Sequence, residues 1–321
     1  MGLITTLTVA ACASEEASAP SPAAVTADAP LCSEAGAAGE REGWPLGSSG
    51  ESDFLPTVAS SLVSVGPSRF LYNVLDTGYR QLASADIPSR VDFYALERDA
   101  ERPVASVEGA YLASGLGRGL YRAEVDFDCV GEWGAEVSIE LPDGETQTVR
   151  LRFAVHPQGG TPALGSPAPR SDSPVAMTLE EAAAISTDLN PYVPAYHKTV
   201  AETVTSGMPS LVFFATPAFC QTGYCGPTVE LVKGVAREHA GELEFVNVEP
   251  YELQMTANGL QPALDEAGQL QPVPAAVDYG IPVEPYLFLV DAEGDVFAKF
   301  EGIVGGEELR AAIEDVLAEA V

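Results

Sequence analysis

A single run, PQGGTPALGSPAPRSDSP at residues 157–174, separates two stretches of chain whose patterns cannot share one layer architecture. Before it, from about residue 53, short runs alternate apolar and polar residues with a period of two. Examples are RFLYNVLD from Arg69, VDFYALER from Val91 and LYRAEVDFD from Leu120. The run AEVSIELPDGETQTVRLRFAV from Ala135 reads as a hairpin about Pro142, Asp143 and Gly144. No helical period occurs here. About seven such strands over residues 51–157 predict an antiparallel, Ig-like all-β sandwich, with Tyr121 and Trp133 serving its core. After the break, helix and strand patterns alternate, which calls for an α/β domain over 178–321. TLEEAAAIS and YHKTVAETVTSG read as helices, SLVFFAT from Ser210 as a strand, GPTVELVKGVAREHAG as a helix and LEFVNVE from Leu243 as a strand. A loop-rich stretch follows to about 280. YLFLVD, a turn and VFAKFEG then form a hairpin, and GGEELRAAIEDVLAEA closes the chain as a helix with acids in its first turn, where the helix dipole favours them. Residues 158–177 read as an interdomain linker from their Pro, Gly and Ser content.

Charge narrows the partners. The chain carries 47 acidic against 16 basic residues, a formal net charge of −31. A surface this negative repels phosphate backbones and anionic headgroups, so nucleic acid is not an expected partner. Residues 13–50 hold few large apolar side chains and read as a disordered tether. The first twelve residues, MGLITTLTVAAC, end in a tetrapeptide that resembles a bacterial lipoprotein lipobox, in which Cys12 would be lipidated. The apolar stretch is short and lacks a positive n-region, which a start placed too far downstream would explain. The alternative is a chance apolar N-terminus. The lipobox implies a protein tethered to the outer face of a bacterial cytoplasmic membrane. With Cys12 set aside, four cysteines remain, and an even count in an oxidising compartment invites two pairs. Adjacency supports Cys220 with Cys225, leaving Cys32 and Cys129 as a structural bridge, although four cysteines allow three connectivities.

The chemistry concentrates in PAFCQTGYCGPT, residues 217–228. Two cysteines five positions apart on a regular helix would be separated by roughly 7.5 Å of rise, too far for a disulfide. Gln221, Thr222, Gly223 and Tyr224 instead favour a loop that folds Cys220 back on Cys225. A cysteine at a helix start meets unsatisfied N–H groups and the positive dipole end, which stabilise the thiolate, the attacking species in disulfide exchange. LVFFAT followed by Cys225, Gly226 and Pro227 resembles the strand and WCGPC turn of the thioredoxin family. Pro285 in VEPYLFLVDAEG resembles that family's cis-proline, and FEGIVGGEELRAAIEDVL its closing strand and helix. The resemblance covers about residues 185–321. It implies a thioredoxin-like fold, a thiol–disulfide oxidoreductase without cofactor or metal, and protein thiols or disulfides as partners. It also implies Cys225 as attacking thiol, Cys220 as resolving thiol, and Gly226, Pro227, Glu284 and Pro285 beside the substrate. Three departures stand out. Thr228 replaces the second cysteine, Phe213 and Phe214 occupy the strand where a buried acid is usual, and Glu284 would set a negative charge near the sulfurs, opposing thiolate formation.

Other readings compete. A permanent Cys220–Cys225 disulfide would make the domain a binding module. A peroxiredoxin would show P-x-x-x-T-x-x-C, but Phe213 and Pro217 stand at the Pro and Thr positions. A copper chaperone needs a histidine downstream of the cysteine turn, and His156, His197 and His239 do not stand there. Phe219 and Tyr224 would form an apolar lip at the site, or serve packing.

Overall fold

The computed structural model describes residues 29–33, 42–45, 54–113 and 119–320. The leader 1–12 and its Cys12 lie outside these. Among the described residues the first half holds seven strands: β1 (Phe54–Val58), β2 (Gly66–Asp76), β3 (Ser89–Ala95), β4 (Ala105–Ala113), β5 (Gly119–Phe127), β6 (Gly131–Glu140) and β7 (Thr146–Val155). All pairings are antiparallel, in the order β1-β2-β5-β4-β3-β6-β7. The strand number is that expected, and β4 joins a β1-β2-β5 group to a β3-β6-β7 group. They form one sheet folded on itself, because β4 changes partner along its length. Ala105–Gly109 pair with β3, and Ala110–Ala113 pair with β5. At the switch, Gly109 crosses the ring of Tyr72 so closely that any Cβ would collide with its hydroxyl. Phe70, Tyr72, Phe93, Tyr121, Phe127 and Trp133 fill the interior between the folded halves. Burial of each such side chain contributes about 1.5–3 kcal/mol.

Two anchors correct the reading of 13–50 as a free tether. Cys32 is disulfide-bonded to Cys129, with Cα atoms 4.9 Å apart. Trp44 is buried against Tyr94 and lies beneath the guanidinium of Arg150. A composition average hides such points, since one thiol or one indole is a single residue in a run otherwise made of Ala, Ser, Pro and Glu.

The second half carries α1 (Leu179–Ile185), a 3₁₀ turn at Val193–Tyr196, α2 (Val200–Val204), β8 (Ser210–Phe214), α3 (Cys225–Glu238) and β9 (Glu244–Val248). There follow β10 (Leu253–Thr256), β11 (Gly259–Pro262), α4 (Pro274–Asp278), β12 (Tyr286–Val290), β13 (Val296–Glu301) and α5 (Gly306–Glu319). The stretch expected to be loop-rich before residue 280 thus holds the β10–β11 hairpin and α4. The main sheet runs β13-β12-β8-β9, with β8 and β9 parallel about the α3 crossover and the other pairs antiparallel. That order, with a cis peptide at Glu284–Pro285 before β12, is the thioredoxin-like fold. All five residues of β8 and all five of β12 are buried, as central strands covered on both faces should be.

The linker is not a free connection. Gly165 N–H donates to Val296 O at 2.8 Å, Val296 N–H to Ser166 O at 2.8 Å and Ala168 N–H to Gly294 O at 2.9 Å, so residues 165–168 lie along the edge strand β13. Ala168 is buried in the sheet's own core, and the Ser171 hydroxyl donates to Asp278 at 2.6 Å. An edge position tolerates the missing N–H of Pro167, which explains how a proline-rich run becomes ordered.

The two halves share an interface. Arg69 of β2 reaches Glu308 of α5 through Nε at 2.5 Å and Nη2 at 3.0 Å, and also donates to the carbonyls of Glu301 and Ile303. Arg122 adds a second cation at 2.6 Å from Glu308. Burial pushes the Glu308 carboxyl up, but the two guanidiniums outweigh it and hold it below the usual carboxylate value. Beside this network Ile303 packs among Leu71, Leu112 and Leu120 of the β-domain, with Tyr224 against the same cluster.

Candidate functional site

The chain leaves the buried strand β8, turns through Thr216–Phe219 and reaches Cys220 in a short loop before α3. Gly223 sits at φ +75°, a conformation other residues adopt only at a cost, and its N–H points back toward the Cys220 carbonyl at 3.4 Å. The loop therefore folds as the cysteine spacing demands. Cys225 is the first residue of α3, and its backbone N–H donates to the Cys220 sulfur at 3.2 Å. The positive end of a 14-residue helix is thus presented to Cys220 rather than to Cys225.

The two thiols differ in exposure in the opposite sense to the expectation that Cys225 is the accessible one. Cys225 is completely buried, whereas Cys220 is partly exposed, and both are free thiols. The Cys225 thiol donates a hydrogen bond that favours the Cys220 thiolate. Together with Thr222 and the backbone amides of Cys225 and Gly223, it overcomes partial burial and brings the Cys220 pKa down to about 5. Burial, and then the neighbouring Cys220 sulfur, raise the Cys225 thiol far above its usual value. The partly exposed sulfur is thus the one favoured as thiolate, and the buried one the one that keeps its proton. The motif resemblance pointed the other way because it registered Cys-Gly-Pro and not the side of the helix end on which each sulfur lies.

Glu284 and Pro285 stand opposite the pair. The Cys220 sulfur lies 3.9 Å from the Glu284 carbonyl oxygen, and the Thr222 hydroxyl lies 3.3 Å from the same oxygen and 3.2 Å from the sulfur. Thr222 has one proton for two acceptors, so an ionised sulfur draws it away from the carbonyl. The Glu284 side chain points elsewhere. It is buried and accepts a hydrogen bond from Tyr251 Oη at 3.0 Å, and its desolvation raises its pKa. Its charge bears on both sulfurs: it helps raise the Cys225 pKa, and repulsion from an ionised Cys220 helps raise its own. Gly226 and Pro227 occupy the first turn of α3, with the Thr228 side chain buried behind them.

One group was missed. Phe213 and Phe214 do fill the strand before the cysteines, but the end of the adjacent strand supplies a buried carboxyl, Glu249. It accepts from Thr187 N–H at 2.9 Å and Thr187 Oγ1 at 3.0 Å, and Thr187 Oγ1 in turn accepts from Ala218 N–H at 3.3 Å, two residues before Cys220. Burial pushes its pKa up to about 7. The only sequence signal was an acid ending the apolar run LEFVNVE, which also suits a solvated strand end. Among the described residues no group of three or more His, Cys, Asp or Glu side chains is placed to hold a metal ion.

No family model and no curated protein matches this chain. Among solved structures it resembles a candidate thiol:disulfide interchange protein DsbE from Chlorobium tepidum. That match has 17% identity and a TM-score of 0.30, covering 49% of this chain and 99% of the other. It also resembles the C-terminal domain of a thiol-disulfide oxidoreductase candidate from Bacteroides thetaiotaomicron, with 14% identity and a TM-score of 0.31, over 50% of this chain and 99% of that one. The soluble domain of PmoD from Methylocystis matches 34% of this chain at 15% identity, with a TM-score of 0.22. The thioredoxin-like assignment rests on the strand order and the helix crossover, not on these likenesses.

Proposed function

We propose that the protein is a thiol–disulfide oxidoreductase of thioredoxin-like type, working through Cys220 and Cys225 on protein disulfides. The observation that carries this reading is the helix N-terminus and the Cys225 thiol both directed at the sulfur of the partly exposed Cys220. The Cys220 thiolate attacks one sulfur of a substrate disulfide, forming a mixed disulfide and expelling the other sulfur as a thiolate that takes up a proton. Cys225, on losing its proton, attacks the Cys220 sulfur, closing the Cys220–Cys225 disulfide and releasing the second substrate thiol. Two electrons pass to the substrate, and a dithiol reductant restores the pair; the reverse sequence oxidises a substrate dithiol.

A redox titration of the full chain, with alkylated Cys220 and Cys225 quantified by mass spectrometry, tests this. A reversible two-electron couple between about −120 and −270 mV is expected of an exchange-active pair. A pair still bonded below about −300 mV would be a structural disulfide and leave a binding module.

The reading extends to location. The Cys32–Cys129 disulfide suits an oxidising compartment, and a lipidated Cys12 would hold the protein at the outer face of a bacterial cytoplasmic membrane. Cys12→Ser should then move the protein from the membrane fraction to the soluble one. A wild-type chain recovered soluble and without added lipid mass would remove the anchor from the proposal.

A further inference from the structure

We infer that the β-domain is part of the substrate site, supplying one wall of a cleft that receives an apolar side chain from a positively charged, disulfide-bearing segment of a partner protein. This rests on the redox reading above. The cleft, about 230 Å³, opens beside the first turn of α3. Ala113, at the end of β4, forms the wall from the β-domain. Pro227, Thr228 and Leu231 of α3 face it, with Ile303 and Val304 along the floor. Tyr224, the residue before Cys225, borders the cleft and packs on the Leu71, Leu112, Leu120 and Ile303 cluster. The cleft thus starts one residue from the cysteine pair. Its far side is tied to the proline opposite that pair, because Gly302 N–H donates to the Pro285 carbonyl at 2.9 Å immediately before Ile303.

Three observations select the occupant. Among the described residues no charged side chain lines the cleft, although the chain as a whole carries −31. A sealed apolar cavity of about 150 Å³ accepts a benzene ring, so this volume takes a leucine or phenylalanine side chain. The chain's field draws cationic polypeptides and repels a second copy of itself. A segment whose disulfide reaches Cys220 can seat a neighbouring apolar residue between Ala113 and Leu231. The β-domain then acts in selection rather than as a spacer.

The experiment uses the full chain in its reduced form and disulfide-linked peptides of sequence Lys-Lys-X-Cys, with X as Leu, Phe or Ser, comparing kcat/KM. Leu and Phe peptides should be reduced roughly ten- to a hundredfold faster than Ser peptides. Ala113→Trp fills the cleft from an exposed position at the strand end and should bring that ratio close to one; Leu231→Ser approaches the same wall from α3 and should lower it as well. Equal rates for the three peptides with wild type, or a preference that survives Ala113→Trp, would overturn the cleft while leaving the redox reading in place. Failure to reduce any of the peptides would overturn both. Self-association of the wild type that Ala113→Trp abolishes would assign the cleft to a second copy instead.

Discussion

Cys225 is buried and keeps its proton, and that proton is the first of the interactions favouring the thiolate at Cys220. Cys225→Ala removes the donor but keeps the backbone N–H at 3.2 Å. A hydrogen bond to a charged group contributes about 1.5–3 kcal/mol, so the Cys220 pKa should rise by about 1–2 pH units in this variant. The pH profile of iodoacetamide alkylation measures it. An unchanged midpoint would assign the low value to the helix end alone. Glu249 gives a second prediction, in stability. Its carboxyl is raised from 4.5 to about 7, so between those values the native state keeps a proton the unfolded chain has lost. Its contribution to stability therefore falls as pH rises from about 4.5 to 7 and is constant above. Glu249→Gln should gain on wild type by up to about 3 kcal/mol across that window. Urea unfolding at several pH values reads the difference, and a flat difference would show that Glu249 ionises as it does in the unfolded chain.

Among elements, those with one strong local signal were legible in the sequence: the PDG hairpin of β6 and β7, the apolar strand β8, α3 after its cysteine turn, the β12–β13 hairpin and the closing α5. What escaped depended on contacts distant along the chain. Periodicity gives β4 as a strand but cannot show that its two halves serve different neighbours. Proline content marks 158–177 as a connection but not the ladder it makes with β13. In the site, the cysteine spacing and Pro285 were readable, whereas the division of labour between the thiols and the arrival of Glu249 from a neighbouring strand required three dimensions. The partner switch in β4 is testable at Gly109, where a side chain would strike Tyr72, itself hydrogen-bonded to Ser89 at 2.9 Å. Gly109→Val should destabilise the protein by about 1–3 kcal/mol through overpacking. Pairing it with Tyr72→Phe, which removes the struck hydroxyl, should recover part of that loss in denaturant unfolding. No recovery would place the strain elsewhere.

At the scale of the whole molecule, Arg69 and Glu308, each with a side chain only 11% exposed, couple the two halves. Breaking such a buried pair costs about 3–5 kcal/mol. Arg69→Leu, with Arg122 still in place, should resolve thermal unfolding at neutral pH into two transitions, whereas wild type should unfold in one. Because the Glu308 pKa is held down in the fold, its contribution is present above the ordinary carboxylate value of 4.5 and lost as pH falls through the lowered one. Wild type should therefore also begin to unfold in two steps on acidification, once the pH has fallen below the ordinary carboxylate value of 4.5. A single transition for the variant at every pH would mean that the apolar contacts of Ile303 suffice. The strap at 165–168 has a consequence of another kind. It occupies the hydrogen-bonding edge of β13 that would otherwise offer a template to any passing strand. Cutting the chain on both sides of the strap would let it leave that edge, and the C-terminal half would then be prone to pair edge to edge with its own kind. The intact chain keeps its two free thiols beside a sheet whose β13 edge is already paired and cannot polymerise through this side.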